Sequence, residues 1–343
     1  MRFWKSPIGV TLLFTAVVFL GQFTNFAESM HVIGLVALIA IATFFIHELG
    51  HVVFGVVAGY QFHFLTAGPI MIERKRITVN PSWAYFGGVA SCSPKTDDLQ
   101  KIGRQHFWFA AGGPMVSLIF GIVSLIAGAL LEIQAFTLFA FMNFAIFVVT
   151  MIPFKGGFKS DGLIMIELMR NDREKEQFVS SLLLMKEMMS PAVPTEWSRQ
   201  MIDHARTVPA NENNMSNSYL LFYYDLCDSG FEVASNGVAS YKALPVTKKN
   251  KMTMQFATHL KQLDAVMNGH ATPKQLRELH SMMMSVEPIS YKRSEWMIAK
   301  LEGNETLAKK KLKEHRGDIK QGKKQFGFYV AEEKLTDLIE QNL

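Results

Sequence analysis

Residues 33–58 read IGLVALIAIATFFIHELGHVVFGVVA. They lie within an apolar stretch of about 31–60, long enough to cross ~30 Å of hydrocarbon as a helix. Its one polar interruption is His47-Glu48-Leu49-Gly50-His51. Ionisable groups at that depth are penalised by roughly 3 kcal/mol or more, so an intramembrane cluster of them is a functional feature by default. The bland alternative is a set of polar residues that glue helices together. Positions four apart share one face of a helix, which sets both imidazoles side by side. Gly50 and Gly55 leave room for another helix to come close.

Working outward, further apolar runs occupy about 7–26, 107–131 and 135–153. Arg2 and Lys5 precede the first, as in a signal peptide, but Asn25-Phe26-Ala27 is a poor cleavage site and an uncleaved helix is expected. Lysine and arginine orient the spans. Arg74, Lys75, Arg76, Lys95, Lys101 and Arg104 lie between the second and third runs, and Lys155 and Lys159 follow the fourth. The two remaining connections hold Glu28 with His31, and Glu132 with Gln134. The positive charge thus falls on one side, which predicts an integral membrane protein with both termini in the cytosol, in a bacterial cell membrane or similar compartment.

Residues 61–98 contain Gly68-Pro69, then two short apolar strings, Ile70-Met71-Ile72 and Ile77-Thr78-Val79, on either side of Arg74-Lys75-Arg76. Alternation and breakers predict a β-hairpin or small sheet. Irregular backbone cannot face lipid unsatisfied, so this segment is expected at the cytosolic interface near the end of the second span. From Asn171 onward charge reaches the density of a soluble protein. Stripes such as Tyr219-Leu220-Phe222-Tyr223-Leu226 and Met254-Phe256-Ala257-Leu260-Leu263 predict amphipathic helices, with breaks near Pro191, Pro194, Pro209, Gly230, Pro245, Gly269-Pro273, Pro288 and Gly303. Successive helices suggest a tetratricopeptide-like array, although no clean repeat occurs, and a plain bundle fits as well. The expected fold is an all-α polytopic membrane protein of about four to five membrane helices with a small interfacial β-hairpin or sheet (1–170), followed by an all-α soluble domain (171–343).

The 343 residues carry a net charge of +5 and are 49% hydrophobic. No basic stripe with interleaved aromatics stands out, so no nucleic-acid partner is expected. Cys92 and Cys227 lie too far apart in character and position to suggest a disulfide framework or a cysteine-based zinc site.

His47-Glu48-Leu49-Gly50-His51 is HExxH, two imidazoles able to share one metal ion with a carboxylate beside them to take a proton from a metal-bound water. Zinc lowers the pKa of such a water from near 16 to about 7. A catalytic zinc has three protein ligands and an open position. Topology returns the segment after the fourth span to the same side and depth, where Asp161 stands before Gly162 as the candidate third ligand. Ser160 or Asp161 could instead simply cap the helix that follows. His63, His106, Asp97 and Asp98 lie on the same side and compete for the ligand role.

These stretches resemble the site-2 protease family of intramembrane zinc metalloproteases, over roughly residues 31–170. By that resemblance His47 and His51 are zinc ligands, Glu48 the catalytic base, and Asp161 in Ser160-Asp161-Gly162 the third ligand, with one Zn²⁺ per chain. Ala111-Gly112-Gly113-Pro114 is similar to the family's small-residue-plus-proline turn opening the third span. Gly68-Pro69 resembles the start of a hairpin that receives substrate as an added strand. Where the family places an asparagine and then a proline close before the aspartate, this chain has Pro153 eight residues before it, with Thr150 and Asn143 as oxyanion candidates. The resemblance implies hydrolysis of membrane-embedded or membrane-anchored proteins or peptides in the lipid bilayer, and the helical tail is a candidate site for a protein partner. Two other functions are weighed against this one: a non-catalytic scaffold with a vestigial metal site, which an intact Glu48 disfavours, and a metal transporter, which the lack of further aligned polar positions disfavours.

Overall fold

Ser6 opens the first helix: its hydroxyl accepts the Gly9 amide at 3.2 Å while Pro7 takes the first helical position, where its missing N–H costs nothing. The computed structural model describes residues 3–80, 82–154, 159–170, 173–284 and 288–343. Arg2, the Lys155-Gly156-Gly157-Phe158 segment and Asn171, all used above to orient or divide the chain, lie outside the described residues. The chain divides into two compact units, 1–179 and 180–343.

In the first unit α1 (Pro7–Gly21) is followed by α2 (Ala27–Ala58), a four-stranded sheet, α3 (Leu99–Leu131), α4 (Gln134–Met151) and α5 (Asp161–Met169). Among the described residues α2, α3 and α4 are long and apolar enough to cross a membrane. The first apolar run is shorter than expected: Thr24 turns its hydroxyl onto the Gly21 carbonyl and α1 stops after 15 residues, about 22 Å. The packing is inverted relative to a soluble core. Large side chains such as Leu38, Val57, Ile126 and Leu130 point outward, while Gly112, Gly113, Ser117, Gly121, Ser124 and Gly128 of α3 are buried. Lipid is as apolar as leucine, so helices in it associate through small residues that let backbones close.

Gly59 ends α2 with φ +105°, which a side chain would resist. Gln105 of α3 then donates to the freed Ala58 carbonyl at 2.6 Å. The chain reverses directly into β1 (Tyr60–Ala67), then β2 (Ile70–Glu73), β3 (Ile77–Val79) and β4 (Val89–Pro94), all antiparallel in the order β3-β2-β1-β4. The turn at Gly68 (φ +63°) comes so near α2 that a β-carbon there would stand 3.2 Å from Ile41. The sheet that the sequence predicts therefore runs back beside α2. Two expectations change with this. Strand β2, with Ile70-Met71-Ile72, is paired on both sides and cannot take an added strand. Gly112-Gly113-Pro114 lies in the middle of α3, where the sequence suggested a turn opening the span, because α3 begins at an Asp98 cap, about two turns before the apolar run expected from 107.

Helices α6 (Arg173–Met188), α7 (Arg199–Thr207), α8 (Met215–Asp228), α9 (Phe231–Gly237), α10 (Ala239–Lys242), α11 (Gln255–Met267), α12 (Pro273–Met282), α13 (Pro288–Leu301), α14 (Glu305–Gly322) and α15 (Tyr329–Asn342) follow, broken where the prolines and glycines predict. In the second unit Phe222, Leu226, Phe256, Leu260, Trp296 and Leu335 form one core. Helix α15 returns to α8 and α11, closing the bundle. Through that core runs a buried polar network. Arg293, fully buried, pairs with Glu332, donates to Ser290 at 2.9 Å and meets His259; Glu332 also accepts the Tyr223 hydroxyl.

An unpartnered buried charge is worth several kcal/mol of instability. Glu332→Ala, which strands Arg293, is expected to lower stability by about 3–5 kcal/mol. Chemical denaturation of the full chain in detergent, followed by tryptophan fluorescence, checks this; an unchanged transition would show the network to be dispensable.

Candidate active site

The backbones of α2 and α3 nearly touch at Gly50 and Gly112. A β-carbon on Gly50 would lie 2.5 Å from the Gly112 carbonyl oxygen and 2.9 Å from the Val116 side chain. One residue on, a β-carbon at Gly113 would collide with the His51 ring and stand 2.8 Å from His47 Cε1. Gly113 therefore makes the space that the imidazoles fill. Both rings are buried, one helical turn apart on α2.

Partners from α3 fix the rings. His51 Nδ1 is 2.7 Å from the Phe109 carbonyl, which can only accept, so the proton sits on Nδ1 and Nε2 keeps its lone pair. His47 Nδ1 is 3.0 Å from the Ser117 hydroxyl. The two Nε2 atoms lie 3.2 Å apart, and Asp161 Oδ2 is 3.4 Å from His47 Nε2 and 3.5 Å from His51 Nε2. Three lone-pair donors thus face one point. Tetrahedral zinc with bonds of 2.0–2.1 Å sets its ligand atoms about 3.3 Å apart, which this triangle matches. Among the described residues this is the group of histidine, cysteine and acidic side chains able to hold a metal ion.

Asp161 reaches the histidines because Ser160 takes the capping duty. The Ser160 hydroxyl accepts from Leu163 N at 3.3 Å and from Phe154 N at 3.0 Å, and donates to the Ile152 carbonyl at 2.8 Å. It thereby ties the end of α4 to the start of α5. Gly162 packs against the Met151 carbonyl with no room for a side chain. The carboxylate of Asp161, in the first turn of α5, is left free to face the rings.

His47, Glu48, His51, Thr150 and Asp161 line one cavity of about 590 Å³, together with Val89 and Ala90 of β4, Phe109, Phe154 and Lys159. The Ala90 amide faces the Glu48 carboxylate, and Gly88 (φ +113°) leaves room for it: a β-carbon there would be 2.8 Å from Oε1. Asn143 does not line the cavity. It is fully buried in α4, its amide donates to Phe139 O at 2.9 Å, and its carbonyl oxygen has no partner among the described residues. Gly68 and Pro69 sit at the hairpin turn, with the Gly68 carbonyl accepting from Asn80 at 2.7 Å.

The competing ligands are engaged elsewhere. His63 bonds Ser93 at 2.7 Å, and burial, with Arg74 nearby, draws its pKa below the usual histidine value. His106 bonds the Tyr60 hydroxyl at 3.0 Å. Asp98 caps α3, accepting from Gln100 and Lys101. Ser117, Phe109, Ala90 and Lys159 were not foreseen. Ser117 and Phe109 lie eight residues apart on either side of the glycines, and only the docking of α3 on α2 gives them meaning. Lys159 is drawn to the cavity by Glu167, at 2.5 Å.

Gly113→Val is expected to displace both imidazoles and to abolish zinc binding while leaving the C-terminal helical unit folded. Metal content of the purified variant measures this, and a full zinc complement would contradict the packing argument.

The sequence model of peptidase family M50 matches residues 33–299, most of the chain. No curated protein and no solved structure matches it. Because that single stretch takes in the histidine helix, the sheet and the aspartate helix, the chain belongs to peptidase family M50, the site-2 protease family of zinc-dependent membrane metallopeptidases.

Proposed function

We propose that this chain is an intramembrane endopeptidase that hydrolyses membrane-embedded or membrane-anchored proteins and peptides, with His47, His51 and Asp161 holding one zinc ion. The observation that carries the reading is the triangle of Nε2, Nε2 and Oδ2 at 3.2–3.5 Å in the wall of a cavity that Glu48 also lines. A bound zinc supplies Lewis acidity, lowering the pKa of a coordinated water and polarising the scissile carbonyl. Glu48, oriented by the Ala90 amide, takes the proton of the attacking water and hands it to the leaving amine. Of the two oxyanion candidates, Thr150 lines the cavity and its hydroxyl is bound only weakly, 3.4 Å from the Phe147 carbonyl.

A transmembrane helix must unwind before its peptide bonds are accessible. The free edge of the sheet nearest the site is β4, and its Val89 and Ala90 line the cavity. An extended substrate laid along β4 would gain main-chain hydrogen bonds and specificity from alternate side chains. The Ala90 amide points away from β1, toward Glu48; by alternation along the strand the Cys92 amide points outward too. Burial pushes the Cys92 thiol up to about 12, so its contribution is structural. Residues 1–170 then form the protease domain and 171–343 a helical domain for a partner or regulator; with the short apolar helix α1 as the fourth crossing, both termini face the cytosol of a bacterial cell. A permeation path is disfavoured because α4 carries no ionisable side chain.

Glu48→Gln is expected to keep its zinc and lose cleavage of a transmembrane substrate by about a hundredfold or more. Asp161→Ala should lose both zinc and cleavage. Cleavage that survives Glu48→Gln would sink the mechanism, and zinc retained without Asp161 would reassign the third ligand.

Cys92→Pro removes one outward amide from β4 and leaves its ladder to β1 in place. Cleavage of the same substrate should fall at full zinc content; unaltered cleavage would rule out strand addition at this edge.

A further inference from the structure

Helix α14 sorts its cations into two sets. Lys311 reaches Glu295 at 2.7 Å, and Arg316 reaches Asp337 at 2.7 Å and Glu340 at 2.6 Å, all on the neighbouring helices α13 and α15. Lys309, Lys310, Lys313 and Lys320, with Lys324 just past the helix end, are exposed. At about 100° per residue these five fall within one arc of about 100°. Thr306 and Gly317 complete that arc, which holds no acidic and no apolar residue. Among the described residues Lys310, Lys313, Lys320 and Lys324 form no ion pair. Glu305, one turn before Lys309, is held by Lys300 at 2.8 Å.

This arrangement works against the helix. Lys309 and Lys313 are like charges one turn apart, and Gly317 weakens a helix interior although a β-carbon there would meet nothing within 4 Å. We propose that this lysine face docks on anionic lipid headgroups of the bilayer that holds α2, α3 and α4. Charge complementarity selects an anionic surface. Anchoring in the bilayer keeps that surface at high effective concentration, whereas any other polyanion must diffuse in. Clustered lysines on one helix face are a recognised lipid-surface signature. The face offers no aromatic side chain on which bases could stack, and no apolar side chain to insert. Docking is therefore electrostatic and reversed by salt. The inference stands apart from the protease reading and needs neither zinc nor cleavage.

The test uses the full chain in lipid nanodiscs, with Cys92→Val, Cys227→Ser and Gly317→Cys, and a nitroxide on the new thiol. Accessibility of the label to a water-soluble nickel chelate is read by power saturation. It is expected to fall about twofold or more in discs containing one-third phosphatidylglycerol, compared with pure phosphatidylcholine, and to recover in about 0.5 M salt. Lys309→Gln, Lys310→Gln, Lys313→Gln and Lys320→Gln together should abolish the difference. Equal accessibility in both lipids overturns the proposal. So does equal protection in both, which would indicate a protein contact, and so does protection that requires an added oligonucleotide.

Discussion

Gly50 and Gly112 let the backbones of α2 and α3 meet, and the placing of the two imidazole donors follows from that contact. In lipid there is no hydrophobic gain from pressing two apolar helices together, so the contact must come from shape. The small residues of α3 supply that shape along its length. Once the helices are that close, Gly113 leaves space for the rings, and Phe109 and Ser117 present acceptor and hydroxyl to the two Nδ1 atoms. One helix carries the imidazoles and the other sets their tautomer and direction. Such outer partners commonly change metal affinity by about 10–100-fold when removed.

The third donor arrives by a separate route. Asp161 is held at the start of α5, whose position depends on Ser160 bonding both ends of the α4–α5 junction and on Gly162 lying flat against Met151. A serine that caps a helix and an aspartate beside it are interchangeable on paper, since either oxygen can accept the first-turn amides. Giving the cap to serine frees the carboxylate. The same division appears on α3, where Asp98 caps and His106 is bound to Tyr60, which leaves both out of the donor triangle.

Much of this was legible in the sequence because lipid imposes strict rules. Three of the four apolar runs became membrane-length helices, and HExxH with a downstream Asp-Gly named three side chains that the fold brings together. The helix breaks of the C-terminal half fell where Pro209, Gly230, Pro245, Pro273, Pro288 and Gly303 foretold, since those residues act locally. What escaped depends on non-local packing. Gly112-Gly113-Pro114 looks like a turn by local propensity, yet α3 runs through it because α2 requires close backbone approach there. The pairing order of the sheet, which removes Ile70-Met71-Ile72 from its edge, cannot be deduced from alternation alone. Asn143 was an oxyanion candidate by family resemblance, but its helix phase turns it into the protein.

A sheet beside a membrane helix raises the question of how its edge is satisfied, since an unpaired amide in an apolar setting is costly. At Ala90 the outward amide faces Glu48. That one approach joins two requirements that are separate in a soluble hydrolase: the edge strand gains a nearby acceptor, and the proposed base gains a defined direction. In the proposed reaction, a substrate strand paired to β4 is therefore placed in the same frame as the carboxylate that must move its proton. Register along the edge then decides which peptide bond faces Glu48, and a side chain that cannot lie flat beside Val89 and Ala90 is refused before any chemistry begins. Selectivity in such a site rests on strand geometry at the edge at least as much as on the metal donors.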